Sequence, residues 1–181
     1  MSNQIRTGIR TDKFRKFIRS LLKRGKLKKE HIDTITDKEG MKTYSQIFTD
    51  PTVDSVNNYE FYELMGDKIA NTSILKYFSK KFPMLRRPEG VTVLSRLVIL
   101  YGSKETFARV GLELDFDKYI SANEFRHSKE RKQMIEDCFE AFFGYTAEAI
   151  DERITPGAGF PICYNIINSI MEGLGKLSIK Y

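Results

Sequence analysis

Residues 58–70, NYEFYELMGDKIA, and residues 136–144, EDCFEAFFG, decide how this chain folds. Each sets carboxylates at helical spacing within an apolar run: Glu60, Glu63 and Asp67 in the first, Asp137 and Glu140 in the second. Residues three or four apart share one face of a helix, so two such helices packed together can aim four or five oxygen ligands at one point. Divalent-cation phosphodiester chemistry needs that arrangement, because Mg²⁺ takes hard oxygen ligands and keeps water for attack.

Taken alone, an acidic stripe on a helix is a weak signal and most often a solvated face. Three details add weight. Gly66 sits in mid-helix at a cost of about 1 kcal/mol relative to Ala, which points to close packing or a ligand beside Asp67. Phe61, Leu64, Met65 and Ile69 interleave the first set of acids and predict a largely buried helix. Glu140 is followed by Ala141, Phe142, Phe143 and Gly144, surroundings in which a carboxylate is expensive unless paired or metal-bound.

The 181 residues suit a single domain with its own core. At 41% hydrophobic and 30% charged, the composition is that of a soluble globular protein, and no apolar run is long enough to span a bilayer. The basic N-terminus lacks the apolar stretch of a secretory signal. Two cysteines, Cys138 and Cys163, are too few for a disulfide framework and suggest a reducing, intracellular compartment. Cys138, between apolar neighbours, reads as a buried small hydrophobe. His31 and His127 lie far apart without Cys partners, which argues against structural zinc.

Net charge is +6 and unevenly spread. Residues 1–29 hold eleven basic side chains against Asp12, a balance of +10 that leaves −4 for the rest of the chain. The arm reads either as a phosphate-attracting surface, with Arg15, Arg19, Lys23 and Arg24 as candidate RNA contacts, or as an ordinary solvated helix face. The body with the carboxylates is mildly acidic, so nucleic acid approaches it only with cations or basic flanks offsetting the repulsion.

Periodicity predicts helix almost throughout. Thr11 or Asp12 caps a helix with Phe14, Phe17, Ile18, Leu21 and Leu22 on one face, ended by Gly25 in a left-handed C-cap. Short helices follow around 31–35 and 41–48. Asn57 or Asn58 caps the first motif helix, which runs to about 82–83. RRPEG (86–90) is a loop. VTVLSRLVILYG is rich in β-branched residues, but Leu94, Leu97, Val98 and Tyr101 keep helical spacing and no second strand is available for pairing. Ser103 caps a further helix. The second motif helix is expected from about 132 to 153, a loop at 155–161, and a last helix over roughly 163–174. No repeat or internal domain boundary is visible, so residues 1–181 form one domain with a basic helical segment over about 1–40.

In this order the motifs resemble the ribonuclease III catalytic domain. NYExxExxGD and, some seventy residues on, DxxEAxxG match its signature. FTDPT (48–52) stands where that family has F-T-H-x-S. Phe82-Pro83, Gly90 and Leu94-Ser95-Arg96-Leu97 are similar to its next segment, and Gly102-Ser103 through Leu114 to the helix after that. The resemblance covers about 14–174. It implies an all-α fold forming a two-fold symmetric homodimer that cuts double-stranded RNA with Mg²⁺, for which Mn²⁺ can substitute, and no membrane partner. The products would carry 5′-phosphate and 3′-hydroxyl ends with short 3′ overhangs. The family's metal-binding and catalytic acids fall on Glu63, Asp67, Asp137 and Glu140, with Glu60 in a supporting role, and Leu64 falls where the family inserts an apolar side chain into its partner subunit. No double-stranded-RNA-binding domain is recognisable in the chain, which reads as the catalytic part of a longer protein or as a minimal form. The alternative is a catalytically silent RNA-binding or scaffold member of the same fold.

The chain departs from the family pattern in three places. Asp50 replaces the His of F-T-H-x-S, Lys68 replaces a small residue after the Gly-Asp pair, and Ala149 stands where an Asp is usual, nine positions past Glu140. These mark a divergent branch, of a viral, organellar or protist kind. They leave the four acids intact, but Lys68 places a cation beside Asp67 that can compete with metal.

Overall fold

The computed structural model describes residues 5–123 and 128–177. In chain order it runs β1 (Ile5–Arg6), α1 (Asp12–Arg24), α2 (Lys29–Ile35), α3 (Lys38–Gln46), α4 (Glu60–Lys81), α5 (Val91–Tyr101), α6 (Lys104–Glu113), β2 (Ala122–Asn123), α7 (Ser128–Arg153) and α8 (Gly159–Leu177). The fold is all-α, as the periodicity predicts, apart from a two-residue antiparallel pairing of β1 with β2 in which Ile5 faces Asn123.

Helix α7 is the axis of the fold. From Ile135 to Tyr145 every residue is buried, because α4 packs along it and α6 and α8 cover its other sides. Burying a Phe or Ile side chain contributes roughly 1.5–3 kcal/mol, and Phe139, Phe142, Phe143 and Ile150 are all in this core. A second aromatic cluster ties α1 to the segment after α6. Phe17 stacks on Tyr119 with centroids 4.3 Å apart, and Phe14 meets Phe48 edge-on at 5.2 Å.

Local signals explain most helix ends. Thr11 caps α1 through its side chain, Asp37 caps α3 by accepting from Gly40 N–H at 2.8 Å, and Ser103 caps α6 by accepting from Thr106 N–H at 3.3 Å. Asn58 Oδ1 accepts from Glu60 N–H at 3.0 Å at the start of α4. The segment 91–101 is helical, so spacing prevails over β-propensity there. Arg153 joins Asp37 by an ion pair of 2.5 Å, which locks the start of α3 to the end of α7.

Beyond earlier starts of α2 and α3, at Lys29 and Lys38, four details differ from the sequence expectation. Gly25 is not left-handed (φ −73°); Lys26 takes that conformation instead (φ +61°). Gly25 is required by packing, since a Cβ there would lie 2.8 Å from Ile162 Cγ2. The loop at 86–90 contains a 3₁₀ turn over Pro88–Gly90. Helix α7 begins at Ser128, four residues early, because its first turns are polar and carry no apolar periodicity to read. Helix α8 begins at Gly159, with Pro161 in its first turn, where the missing N–H of proline is no loss.

The basic arm is also less uniform than its composition suggests. Arg10 turns inward, donating to the carbonyl oxygens of Phe48 (3.0 Å) and Tyr119 and to Ser121 Oγ (3.2 Å). Burial lowers its pKa to about 10. Arg6 pairs with Asp117 at 3.1 Å. Both are structural. No described helix is long and apolar enough to cross a membrane.

Candidate active site

Helices α4 and α7 approach each other at two glycines. A Cβ on Gly66 would fall 1.8 Å from the carbonyl oxygen of Glu140, and one on Gly144 would fall 2.0 Å from the carbonyl oxygen of Tyr62. Gly66 therefore answers to close packing, and that packing sets the acids of one helix against those of the other. Glu63 and Asp67 stand on α4 to either side of Gly66, one turn apart. Asp137 and Glu140 occupy the facing side of α7.

The structure brings these four together with a fifth acid, Glu136. Glu136, Asp137 and Glu140 are buried, whereas Glu63 and Asp67 are half-buried. Burial, followed by the charges of Glu63 and Glu136, pushes the Asp137 carboxyl up to about 8. Burial, followed by the charges of Glu136, Asp67, Glu63 and Asp137, pushes Glu140 up to about 9. Glu63 is raised by burial and then by Glu136, and Glu136 is raised by burial. Five carboxyl groups held this close disfavour one another's ionised forms, and a divalent cation among them would offset that cost.

Two lysines reach the cluster. Lys68 Nζ lies 2.6 Å from Asp67 Oδ2, and Asn71 Nδ2 donates to Asp67 Oδ1 at 2.6 Å, so both oxygens of Asp67 are engaged along α4 itself. Lys104 Nζ, at the start of α6, lies 3.4 Å from Glu136 Oε2. As the side chains stand, no group of three or more His, Cys, Asp or Glu among the described residues could hold a metal ion. The donor set nonetheless fits a hard divalent cation. It offers only carboxylate oxygens, and the buried Glu136 Oε2 has no hydrogen bond.

Asp137 also faces a polar cleft of about 260 Å³, lined among others by Asp50, Thr52, Tyr59, Asn123 and Gln133. Asp50, at the family's His position, is buried and accepts from the Tyr59 hydroxyl at 2.9 Å and from Thr52 N–H at 2.8 Å. Ala149 is buried in the core, and Asp151 accepts from Gly159 N–H at 2.6 Å, so that departure serves the start of α8.

The remaining candidates divide. Glu60 is exposed one turn before Glu63 and acts on it through charge. Leu64 is 65% and Phe61 60% exposed, which corrects the expectation that this part of α4 is buried: its core face starts at Gly66 and continues through Ala70, Ser73, Ile74, Tyr77 and Phe78. On α1, which packs mainly against α8 and α2, Arg15, Lys23 and Arg24 are exposed and lie outside the acid cluster. Arg19 is held by Asp33 at 2.6 Å and by Thr36 Oγ1 at 2.9 Å. Sequence reading missed Glu136 and Lys104. Glu136 was legible as the residue one turn before Glu140, whereas Lys104 is far off in sequence and only the packing of α6 on α7 brings it in.

The Ribonuclease III domain model matches residues 60–148, which take in the acids of both motifs and the helices between them. The "Putative ribonuclease 3" of Invertebrate iridescent virus 6 is 38% identical, over 96% of this chain and 63% of that protein. The protein of the same name from Frog virus 3 is 32% identical, over 86% of this chain and 42% of that protein. The chain thus spans less than two thirds of the length of these curated relatives. In fold, the nuclease domain of ribonuclease III from Campylobacter jejuni superposes with a TM-score of 0.59 at 15% identity, over 92% of this chain and 96% of that one. The order of the motifs, the viral relatives and the shared fold agree: residues 60–148 of this chain are a ribonuclease III domain of divergent sequence.

Proposed function

We propose that this chain is a Mg²⁺-dependent endoribonuclease domain that hydrolyses the phosphodiester bonds of double-stranded RNA. Two observations support this reading: the close approach of α4 and α7 at Gly66 and Gly144, and the charge effects that Glu63, Asp67 and Asp137 exert on Glu140. These four residues would hold the cation, with Glu60 tuning Glu63 from the rim. The chemistry supplied by a bound divalent cation is activation of water for attack and neutralisation of charge on the phosphodiester. Burial raises the carboxyls of Asp137 and Glu140 above the usual carboxylate range, so loading the site would release protons.

The functional unit is a homodimer. Phe61 and Leu64 on α4 and Val91, Val93, Ile99 and Leu100 on α5 leave large apolar side chains exposed, more than scattered surface residues require. A second Campylobacter jejuni structure is described as showing flexibility in a region involved in dimer formation. With one acid cluster per protomer and two-fold symmetry, each subunit cuts one strand, leaving 5′-phosphate and 3′-hydroxyl ends with short 3′ overhangs. The duplex would be read by shape, through phosphates and 2′-hydroxyls, with Arg15, Lys23 and Arg24 as contributing cations.

The test is cleavage of a long RNA duplex by the wild type and by Glu140→Gln, in Mg²⁺ or in EDTA. Short duplexes with 3′ overhangs, from the wild type with Mg²⁺ alone, support the reading; uncut RNA in every lane overturns it. One observation favours a second reading, a silent RNA-binding scaffold: both oxygens of Asp67 are already engaged by Lys68 and Asn71. Retained RNA binding without Mg²⁺ binding would select it.

A further inference from the structure

Among the described residues, the buried side-chain polar atoms without a hydrogen bond are Ser73 Oγ and Glu136 Oε2. A hydroxyl tolerates that state at modest cost, but a carboxylate does not. Glu136 is 4% exposed, and its opposite charge comes from Lys104 at 3.4 Å, well beyond the 2.7–2.9 Å or so of a good charge-assisted hydrogen bond. The contact is therefore electrostatic and loose. Lys104 is the first residue of α6 and its side chain is mostly exposed, so its ammonium can withdraw into water without disturbing the core.

Glu136 is also well placed. It lies one turn before Glu140, on the same face of α7, and next to Asp137. Its charge acts on Glu63 from across the helix pair. We propose that Glu136 is a fifth carboxylate of the divalent-cation site and that Lys104 is its resident counter-ion, displaced when the cation enters. Glu136 Oε2, the oxygen that Lys104 approaches without a hydrogen bond, would exchange a loose ammonium contact for a hard cation, and the exposed ammonium would regain water.

This inference rests on the cation reading above, so its test must separate the two. Mn²⁺ binding to the full chain is measured calorimetrically without RNA, for the wild type, Glu136→Gln, Lys104→Met, the double variant and Glu140→Gln, with circular dichroism to confirm folding. Glu136→Gln should weaken Mn²⁺ binding at least tenfold. Lys104→Met should tighten it severalfold, and that gain should vanish in the double variant. If Glu140→Gln loses Mn²⁺ while Glu136→Gln and Lys104→Met both bind as the wild type does, the fifth-ligand proposal falls and the four-acid site stands. If the wild type binds no Mn²⁺, or Glu140→Gln binds it unchanged, both fall. Should Glu136→Gln fail to fold, the surface variant Lys104→Met decides: unchanged affinity overturns the proposal.

Discussion

Gly66 on α4 lies directly against the backbone carbonyl of Glu140 on α7, with no room for a single methyl group between them. The same contact joins the two halves of the acid cluster. A side chain at position 66 would push the helices apart and separate Glu63 and Asp67 from Asp137 and Glu140.

Gly66→Ala should therefore destabilise the fold although alanine is the better helix former. Overpacking of this kind costs about 1–3 kcal/mol, against a propensity gain of about 1 kcal/mol. A clash with backbone, which cannot swing aside as a flexible side chain can, favours the high end of the cost. Urea unfolding should show a lower midpoint, and Mn²⁺ affinity should fall with it. An unchanged midpoint would mean that the helices slide without penalty.

Lys68→Ala frees one oxygen of Asp67 from its 2.6 Å ion pair. Exposed pairs are worth about 0.2–1 kcal/mol, so Mg²⁺ affinity should rise, by up to about fivefold, in titration calorimetry. Weaker binding in this variant would show that Lys68 positions Asp67 for the cation instead of competing with it.

The acid cluster also sets a pH dependence. Folding raises Asp137 to about 8 and Glu140 to about 9, chiefly by burial, whereas in the unfolded chain both titrate near 4. Between those limits the folded chain holds more protons than the unfolded one, so stability falls as pH rises. In EDTA, Tm should drop from pH 5 to pH 9. Glu140→Gln should flatten that drop and raise Tm at pH 8, whereas a divalent cation should stabilise the wild type most at the alkaline end. A Tm independent of pH would contradict the assigned burial.

Leu64→Glu places a charge on an exposed apolar surface. The isolated fold should be unaffected, with circular dichroism unchanged, while sedimentation shows a monomer where the wild type is a dimer. A wild type that sediments as a monomer would remove the homodimer.

On α1, Lys23→Gln and Arg24→Gln should weaken duplex-RNA binding evenly across sequences and shallow its salt dependence by roughly one counterion per lost phosphate contact. Arg19→Gln should instead lower thermal stability, because it breaks the contacts with Asp33 and Thr36. Equal effects from all three on RNA binding would assign Arg19 to the interface as well.

The sequence by itself determined the helical class, several caps and which acids share a helix face. These are local properties: spacing places Glu63 with Asp67 and Asp137 with Glu140, and Thr11, Asn58 and Ser103 mark helix starts through bonds to their own neighbours. Only the tertiary structure decided which charges share a space. Glu136 belongs to the cluster because α4 closes over α7 at two glycines, and Lys104 reaches it because α6 packs on the same helix. Arg10 and Arg19, indistinguishable in composition from Lys23 and Arg24, are set apart because their partners lie elsewhere in the chain. Phe61 and Leu64, apolar enough to suggest a core, stay exposed because α7 covers the other side of α4. Burial and long-range charge depend on which faces meet, and a linear pattern does not carry that.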